Sequence, residues 1–318
     1  MSDGLLSVAG LSVSPGKKII DDVAVSVAGI QLRLPIFLIN GAQPGPTLSI
    51  TAGVHGAEYA SIEAALRLGR TLDPATLRGR VIVAPIVNPP SFTARSIYVS
   101  PPDGKNLNRQ FPGQAKGTYS QALAQWLFQE IIRRGDAYID LHGGDLIEAL
   151  EPFVIYFHSG NAAVDRASNA LARSFGIHYV VEGDTPGSTY GAASQAGIPG
   201  LLAEAGGQGI WTEETAGLLH TGVLRVMAHL GMIDPLPAPA EPALVLKRWE
   251  WLRSTADGMF YPSVRVGEHV SEEQNLGRVA DVKGNTLQAL HAPIDGTVLF
   301  LVTSLAMNAG DPLLAIGS

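Results

Sequence analysis

Residues 48–58 read LSITAGVHGAE, a β-branched apolar run, a glycine, a histidine, a second glycine, then a glutamate at the mouth of a helical pattern. Leu48 to Ala52 has the composition of a buried strand, and Ala57 to Leu72 carries apolar residues at helical spacing. A strand running directly into a helix is the unit of an α/β layer. The glycines flanking His55 let the backbone turn sharply and leave room for a ligand. At this i, i+3 spacing on a strand-to-helix turn His55 and Glu58 can converge on one point, an imidazole and a carboxylate of the kind that zinc binds at about 2.0–2.2 Å. Alone, such a pair is more often a turn histidine beside a surface glutamate.

The alternation continues outward. Strands are expected at Arg80 to Val87, Ala137 to Leu141, Phe153 to Phe157, Tyr179 to Val181 and Gly200 to Glu204. Helices are expected at Tyr119 to Arg134, Ala162 to Phe175 and Thr212 to Leu230. Upstream, Val23 to Val27 and Gln31 to Ile39 look like strands extending the same sheet. The fold class is therefore α/β, a mixed, mostly parallel sheet flanked by helices. Residues 1–234 are read as this α/β domain. Residues 235–243 are a Pro-rich linker, within a stretch that has four prolines in nine residues, DPLPAPAEP. Beyond it helical periodicity stops, and residues 244–318 read as a small C-terminal all-β domain of short runs separated by Gly and Pro. Trp249 and Trp251, just past the linker, are candidates to anchor one domain on the other.

The pattern of residues 48–58 recurs. Asp140-Leu141-His142-Gly143-Gly144 again closes a strand on a histidine followed by glycines. Ala203-Glu204-Ala205-Gly206-Gly207 closes the apolar strand GLLAE on a carboxylate. Function in open α/β sheets gathers at the carboxyl ends of strands, where all three residues fall. Asp140 reads equally well as an orienting partner of a ligand and as a structural polar residue. Glu204 reads as a general base or as the cap of the next turn. The loop from Asn88 to Gly113 leaves the same end of the sheet and carries Arg95, Asn108 and Arg109. Arginine's planar fork suits a carboxylate or a developing oxyanion. His158, after the strand FVIYF, is a lesser candidate to line the site.

Composition narrows the function classes. Hydrophobic residues make up 46% and charged residues 16%, enough to bury a core. A net charge of −7 without a basic run argues against nucleic-acid binding. The absence of cysteine excludes disulfides, iron–sulfur clusters and thiolate metal sites, so any metal is held by nitrogen and oxygen. No stretch approaches the ~20 apolar residues of a membrane span, and the start lacks the pattern of a secretory signal. A soluble cytoplasmic protein is the expectation. In the tail, APIDGTV and AGDPLLAIG resemble half-motifs of biotinyl and lipoyl carrier domains, but Lys283 in DVKGN lacks the flanking methionine of a carrier lysine.

GVHGAEY, NPPSF…R…NLNRQFPG, DLHGG and LLAEAGG, in that order and spacing from Ser49 to Gly207, resemble the motifs of the succinylglutamate desuccinylase and aspartoacylase family, relatives of the zinc carboxypeptidases. The resemblance implies a zinc carboxypeptidase-like fold and one Zn2+ per chain held by His55, Glu58 and His142. It implies Glu204 as the base that activates water, Arg95 at the oxyanion, and Asn108 with Arg109 on a substrate carboxylate. It implies hydrolysis of a linear amide, with a small N-acyl molecule as partner and homo-oligomer formation left open. The loop is longer than in the shortest members, by residues around IYVSPPDGKN. Dicarboxylate-specific members also place an arginine shortly before the catalytic glutamate. Glu182 to Ala203 has neither Lys nor Arg, which favours a small neutral acyl group such as acetyl. A metallocarboxypeptidase acting on short peptides is the alternative.

Overall fold

The computed structural model describes residues 4–318. A nine-stranded mixed sheet forms the centre of the α/β part, and its middle is the run of neighbours Gly200–Glu204, Ala137–His142, Gln43–Ala52 and Arg78–Ala84, all parallel. The Ala137–His142 strand is buried at every position, as a central parallel strand covered on both faces must be. Beyond Arg78–Ala84, the strands Ile30–Asn40 and Lys17–Val27 add on antiparallel. From Val23 to Val27, at the edge of the sheet, buried and exposed residues alternate. At the other end Phe153–Phe157 runs antiparallel to Gly200–Glu204, and Tyr179–Gly183 follows parallel to it.

Helices Tyr59–Thr71, Ala162–Phe175 and Glu213–His229 cover one face and share a core with Ile50, Ile139 and Leu201. Helices Tyr119–Glu130 and Thr189–Gln195 cover the other, around Tyr138 and Leu202. Local chemistry sets their ends. Thr212 accepts a hydrogen bond from the Thr215 N–H, and Glu213 and Glu214 lie in the first turn of the last helix, where the dipole favours acids. Gly176, at φ 90°, ends Ala162–Phe175 in the left-handed conformation that suits glycine.

The C-terminal region is an antiparallel β structure with its own core around Phe260, Leu276, Val298 and Leu314. Two short strands cross between the domains. Leu244–Leu246 pairs in parallel with Tyr179–Gly183 and so belongs to the large sheet. Glu148–Leu150, from the α/β part, pairs with Gly296–Val302 and so belongs to the C-terminal sheet. Trp249 packs at 5.1 Å on Phe153 of the α/β part, whereas Trp251 packs on Phe300 within the C-terminal sheet and stays exposed. Lys283 sits exposed in the turn between strands Asn275–Ala280 and Thr286–His291. Among the described residues no helix is long and apolar enough to cross a membrane.

Candidate active site

Three neighbouring strands bring the motif residues together. Glu204 is directly opposite His142 in the parallel register, and Ala52, three residues before His55, is opposite Leu141. One donor atom each from His55, Glu58 and His142 lies within 4.8 Å of the others. His55 Nδ1 is 2.6 Å from Glu58 Oε1, and His142 Nδ1 is 2.9 Å from Glu58 Oε2. The outer ring nitrogens face oxygens: His55 Nε2 is 3.0 Å from Asn106 Oδ1, and His142 Nε2 is 2.9 Å from Asp140 Oδ2.

The donor chemistry fits a divalent cation. Asn106 Oδ1 also accepts the Asn108 N–H, which fixes it as the oxygen. Both outer nitrogens must then carry hydrogen, and both inner nitrogens aim lone pairs at a carboxylate. Acceptors facing at such distances need positive charge between them, from an extra proton on each ring or from a metal. Imidazoles whose outer N–H groups are held by acceptors, with inner nitrogens converging, are the arrangement of metal-ligating histidines. Burial works against charge on His142, but the charges of Glu58 and Asp140 overcome it and hold its pKa well above the usual histidine range. Burial likewise opposes ionisation of Glu58, yet His142 and His55 draw it down to about 2. Asp140 is itself held by the hydroxyls of Thr51 and Thr189, so the orienting role open to it in the sequence is the one its contacts favour.

Glu204 differs from Glu58. Its Oε2 is buried and has no hydrogen-bond partner. Burial, the largest cause, pushes its pKa well above the carboxylate range, the charge of His142 opposes this, and Glu58, Glu148 and Asp140 add to the rise. Such a carboxyl is poised to take and give a proton.

The long loop is partly helical, with a turn of helix at Pro89–Ala94 and a 3-10 turn at Leu107–Arg109. Arg109 is brought to the site. Burial lowers its pKa, and the charges of Tyr190, Arg253 and Glu204 all act on it. Asn108 is buried, and its Oδ1 accepts the Thr189 N–H at 2.9 Å. Arg95 ends the Pro89–Ala94 helix at φ 53°, exposed and without a side-chain partner among the described residues. His158 is at the far end of its strand, paired with Glu182 at 2.8 Å. That strand runs antiparallel to Gly200–Glu204, so Phe153, not His158, is opposite Glu204. Asn106 faces His55, and Asp145 and Glu148 form the turn that follows the His142 motif, a set the sequence does not single out. Asn106 sits in the quoted loop motif, but the others carry no local signal.

The glycines of the first motif answer to packing. A Cβ on Gly56 would sit 2.1 Å from the Phe92 backbone nitrogen and 2.2 Å from the Ser91 carbonyl carbon. Gly56→Ala is expected to force the His55 turn off the Pro89–Ala94 helix, at a cost of about 1–3 kcal/mol or more. A fall in thermal midpoint together with weakened metal binding would show it. An unchanged midpoint would mean that the turn relaxes freely.

A mixed α/β sheet with a His–Glu–His cluster and an unpartnered glutamate at its strand ends defines a hydrolase-type scaffold. The chain belongs to the succinylglutamate desuccinylase/aspartoacylase family: the model of that family's catalytic domain matches residues 44–230. It is 28% identical over 294 residues to the N-alpha-acetyl-L-2,4-diaminobutyric acid deacetylase of Halomonas elongata, covering 90% of this chain and 85% of that one. A succinylglutamate desuccinylase/aspartoacylase of known structure from Rhodobacter sphaeroides superposes with a TM-score of 0.86 at 26% identity, covering 98% of this chain and 99% of the other. The product-bound ectoine utilization protein EutE (DoeB) of Ruegeria pomeroyi shares the fold, at a TM-score of 0.86, 24% identity and coverage of 100% and 99%. The fold and family expected from the sequence are thus in place, and the relatives are deacylases, which supports amide hydrolysis by this chain.

Proposed function

We propose that the protein is a zinc-dependent deacylase that removes a small neutral acyl group from an N-acyl amino acid or a related N-acyl amine. The observation that carries this is the pairing of two inward imidazole nitrogens on one carboxylate with the orphaned Glu204 oxygen one strand away. His55, Glu58 and His142 would hold one ion per chain, a His₂Glu set of the kind catalytic zinc sites use. Bound there, zinc supplies a Lewis acid for the scissile carbonyl and lowers the pKa of water toward ~7.

The remaining work belongs to the chain. Glu204 takes the proton of the attacking water and delivers it to the departing amine nitrogen. Arg109 grips the substrate carboxylate, and Asn108, whose oxygen is committed to Thr189, offers its amide nitrogen. The exposed Arg95 closes on the oxyanion from its loop. The C-terminal β region packs against the same part of the chain through the Glu148–Leu150 strand, six residues past His142, which favours small substrates over extended peptides. The acetyl substrate of the Halomonas relative agrees with a small acyl group.

Acetate release from N-acetyl amino acids by zinc-loaded protein, measured beside the trimming of short peptides, tests the reading. Acetate release without trimming is expected. Trimming alone would favour a carboxypeptidase, and turnover of neither would sink both.

A further inference from the structure

The turn that carries Asn108 and Arg109 is tied to both histidines of the cluster. At its start, Asn106 Oδ1 accepts the Asn108 N–H at 2.9 Å and faces His55 Nε2 at 3.0 Å. One oxygen therefore closes the 3-10 turn and holds the outer edge of an imidazole. In the turn itself, Asn108 Oδ1 accepts the Thr189 N–H at 2.9 Å. Thr189 opens the helix Thr189–Gln195, where the first backbone N–H groups have no partner inside the helix. Its hydroxyl donates to Asp140 Oδ2 at 2.5 Å, and the same oxygen accepts the His142 Nε2–H at 2.9 Å. Asn108, Thr189, Asp140 and His142 are all buried, so this path runs through the interior of the protein.

With the contacts of Glu58 to His55 and His142, the two ties close a ring around the site. The ring has little slack. The other oxygen of Asp140 is taken by the Thr51 hydroxyl at 2.6 Å, and Thr51 in turn meets the Tyr138 hydroxyl. The segment before Thr189 is pressed onto the turn. The Phe111 N–H donates to the Gly187 carbonyl at 2.9 Å, and a Cβ on Gly187, at φ 74°, would sit 2.5 Å from the Arg109 carbonyl oxygen. Close-packed interiors transmit displacement rather than absorb it. A shift of the His142 ring is therefore passed to Asp140, to Thr189 and to the turn.

We infer that Thr189 is a positioning residue that couples metal occupancy to the order of the Leu107–Arg109 turn. Ligation by the inner nitrogens would fix both rings, and their outer edges would hold the turn through Asn106 and through Thr189. Linkage requires the converse: whatever orders the turn tightens metal binding by the same factor. The inference rests on the metal-dependent deacylase reading and adds the route by which the ligand set and the substrate turn communicate.

The test uses wild type, Thr189→Val, Thr189→Ser and Thr51→Val. Zinc affinity is measured by competition with a chromophoric chelator. Amide exchange of residues 105–112 and 185–191 is followed with and without saturating zinc. Thr189→Val keeps the shape and the backbone N–H and removes only the hydroxyl. Thr51→Val removes the other hydroxyl on Asp140 and lies off the path. In wild type, zinc should slow exchange of both segments by about 5–150-fold, the usual range for two coupled sites. Thr189→Val should bind zinc about 10–100-fold more weakly and, once saturated, lose most of the slowing in residues 185–191. Thr189→Ser should recover both, and Thr51→Val should keep the slowing at saturation. A threonine that only fills the helix start would, when changed, raise exchange equally with and without zinc. That result, slowing that survives in Thr189→Val, or zinc binding to wild type without slowed exchange would overturn the inference. Slowed exchange without turnover of N-acyl substrates would instead sink the deacylase reading and leave the coupling standing, and a wild type that binds no zinc would sink both.

Discussion

Glu204→Gln should lower kcat by about 10²–10⁴-fold, the usual contribution of a positioned proton-transfer group, and leave the bound metal in place. Glutamine keeps the shape of the side chain but cannot accept the proton of water or hand it to the amine. Glu204 makes no hydrogen bond through Oε2, so the substitution breaks no structural contact there. Burial holds the carboxyl far above its usual range in the protein alone, and a divalent cation close by would draw it back toward neutrality. The measurement is kcat on an N-acetyl amino acid, with metal analysis and a melting curve on the same sample. A variant that keeps near-normal turnover with full metal content would refute the general-base assignment.

Removing the metal, or a ligand to it, should have the second large effect. Chelation is expected to abolish turnover and lower the thermal midpoint, since an ion that binds only the folded state stabilises it in proportion to the logarithm of its excess over Kd. One equivalent of zinc should restore both. His142→Ala should lose the metal outright. It also leaves Glu58 and Asp140, buried at 4% and 0% exposure, without the imidazole between them. Breaking a buried pair in this way costs about 3–5 kcal/mol, so the variant should be markedly less stable even beside chelated wild type. If His142→Ala held stoichiometric zinc, the ligand set would be wrong. If it melted with the chelated wild type, the Asp140–His142–Glu58 chain would contribute little to stability.

The parts of the site that could be read in the sequence are those set by short-range rules. His55, His142 and Glu204 each follow an apolar run and precede glycine, and strand-to-turn placement survives into the structure because it depends on neighbours in the chain. What was hidden depends on the path of the backbone through space. Nothing local tells that FVIYF runs against its neighbour, and that single reversal carries His158 away from the site. Asn106 looked like any loop amide until the 3-10 turn folded it under His55. Of the two loop arginines, Arg109 is desolvated enough for burial to lower its pKa, whereas Arg95 is exposed at a helix end that the loop composition does not suggest. Asp145 and Glu148 lie within six residues of His142, yet nothing local in GDLIE shows that the Glu148 carboxylate turns back to accept the Asp145 N–H.

The two strand exchanges between the domains have a consequence for how this chain can be taken apart. Leu244–Leu246 covers the exposed rim of the Tyr179–Gly183 strand, and Glu148–Leu150 covers that of Gly296–Val302. Cutting the chain at its proline-rich segment would bare both rims, the surfaces along which β proteins aggregate. The halves are therefore not interchangeable modules. Neither could be grafted onto another partner without supplying a replacement strand, and the two should melt in one transition. Since the Glu148–Leu150 strand begins six residues after His142, any drift in how the tail docks pulls on the turn behind the His–Glu–His cluster, and sequence change far from that cluster can be felt at it.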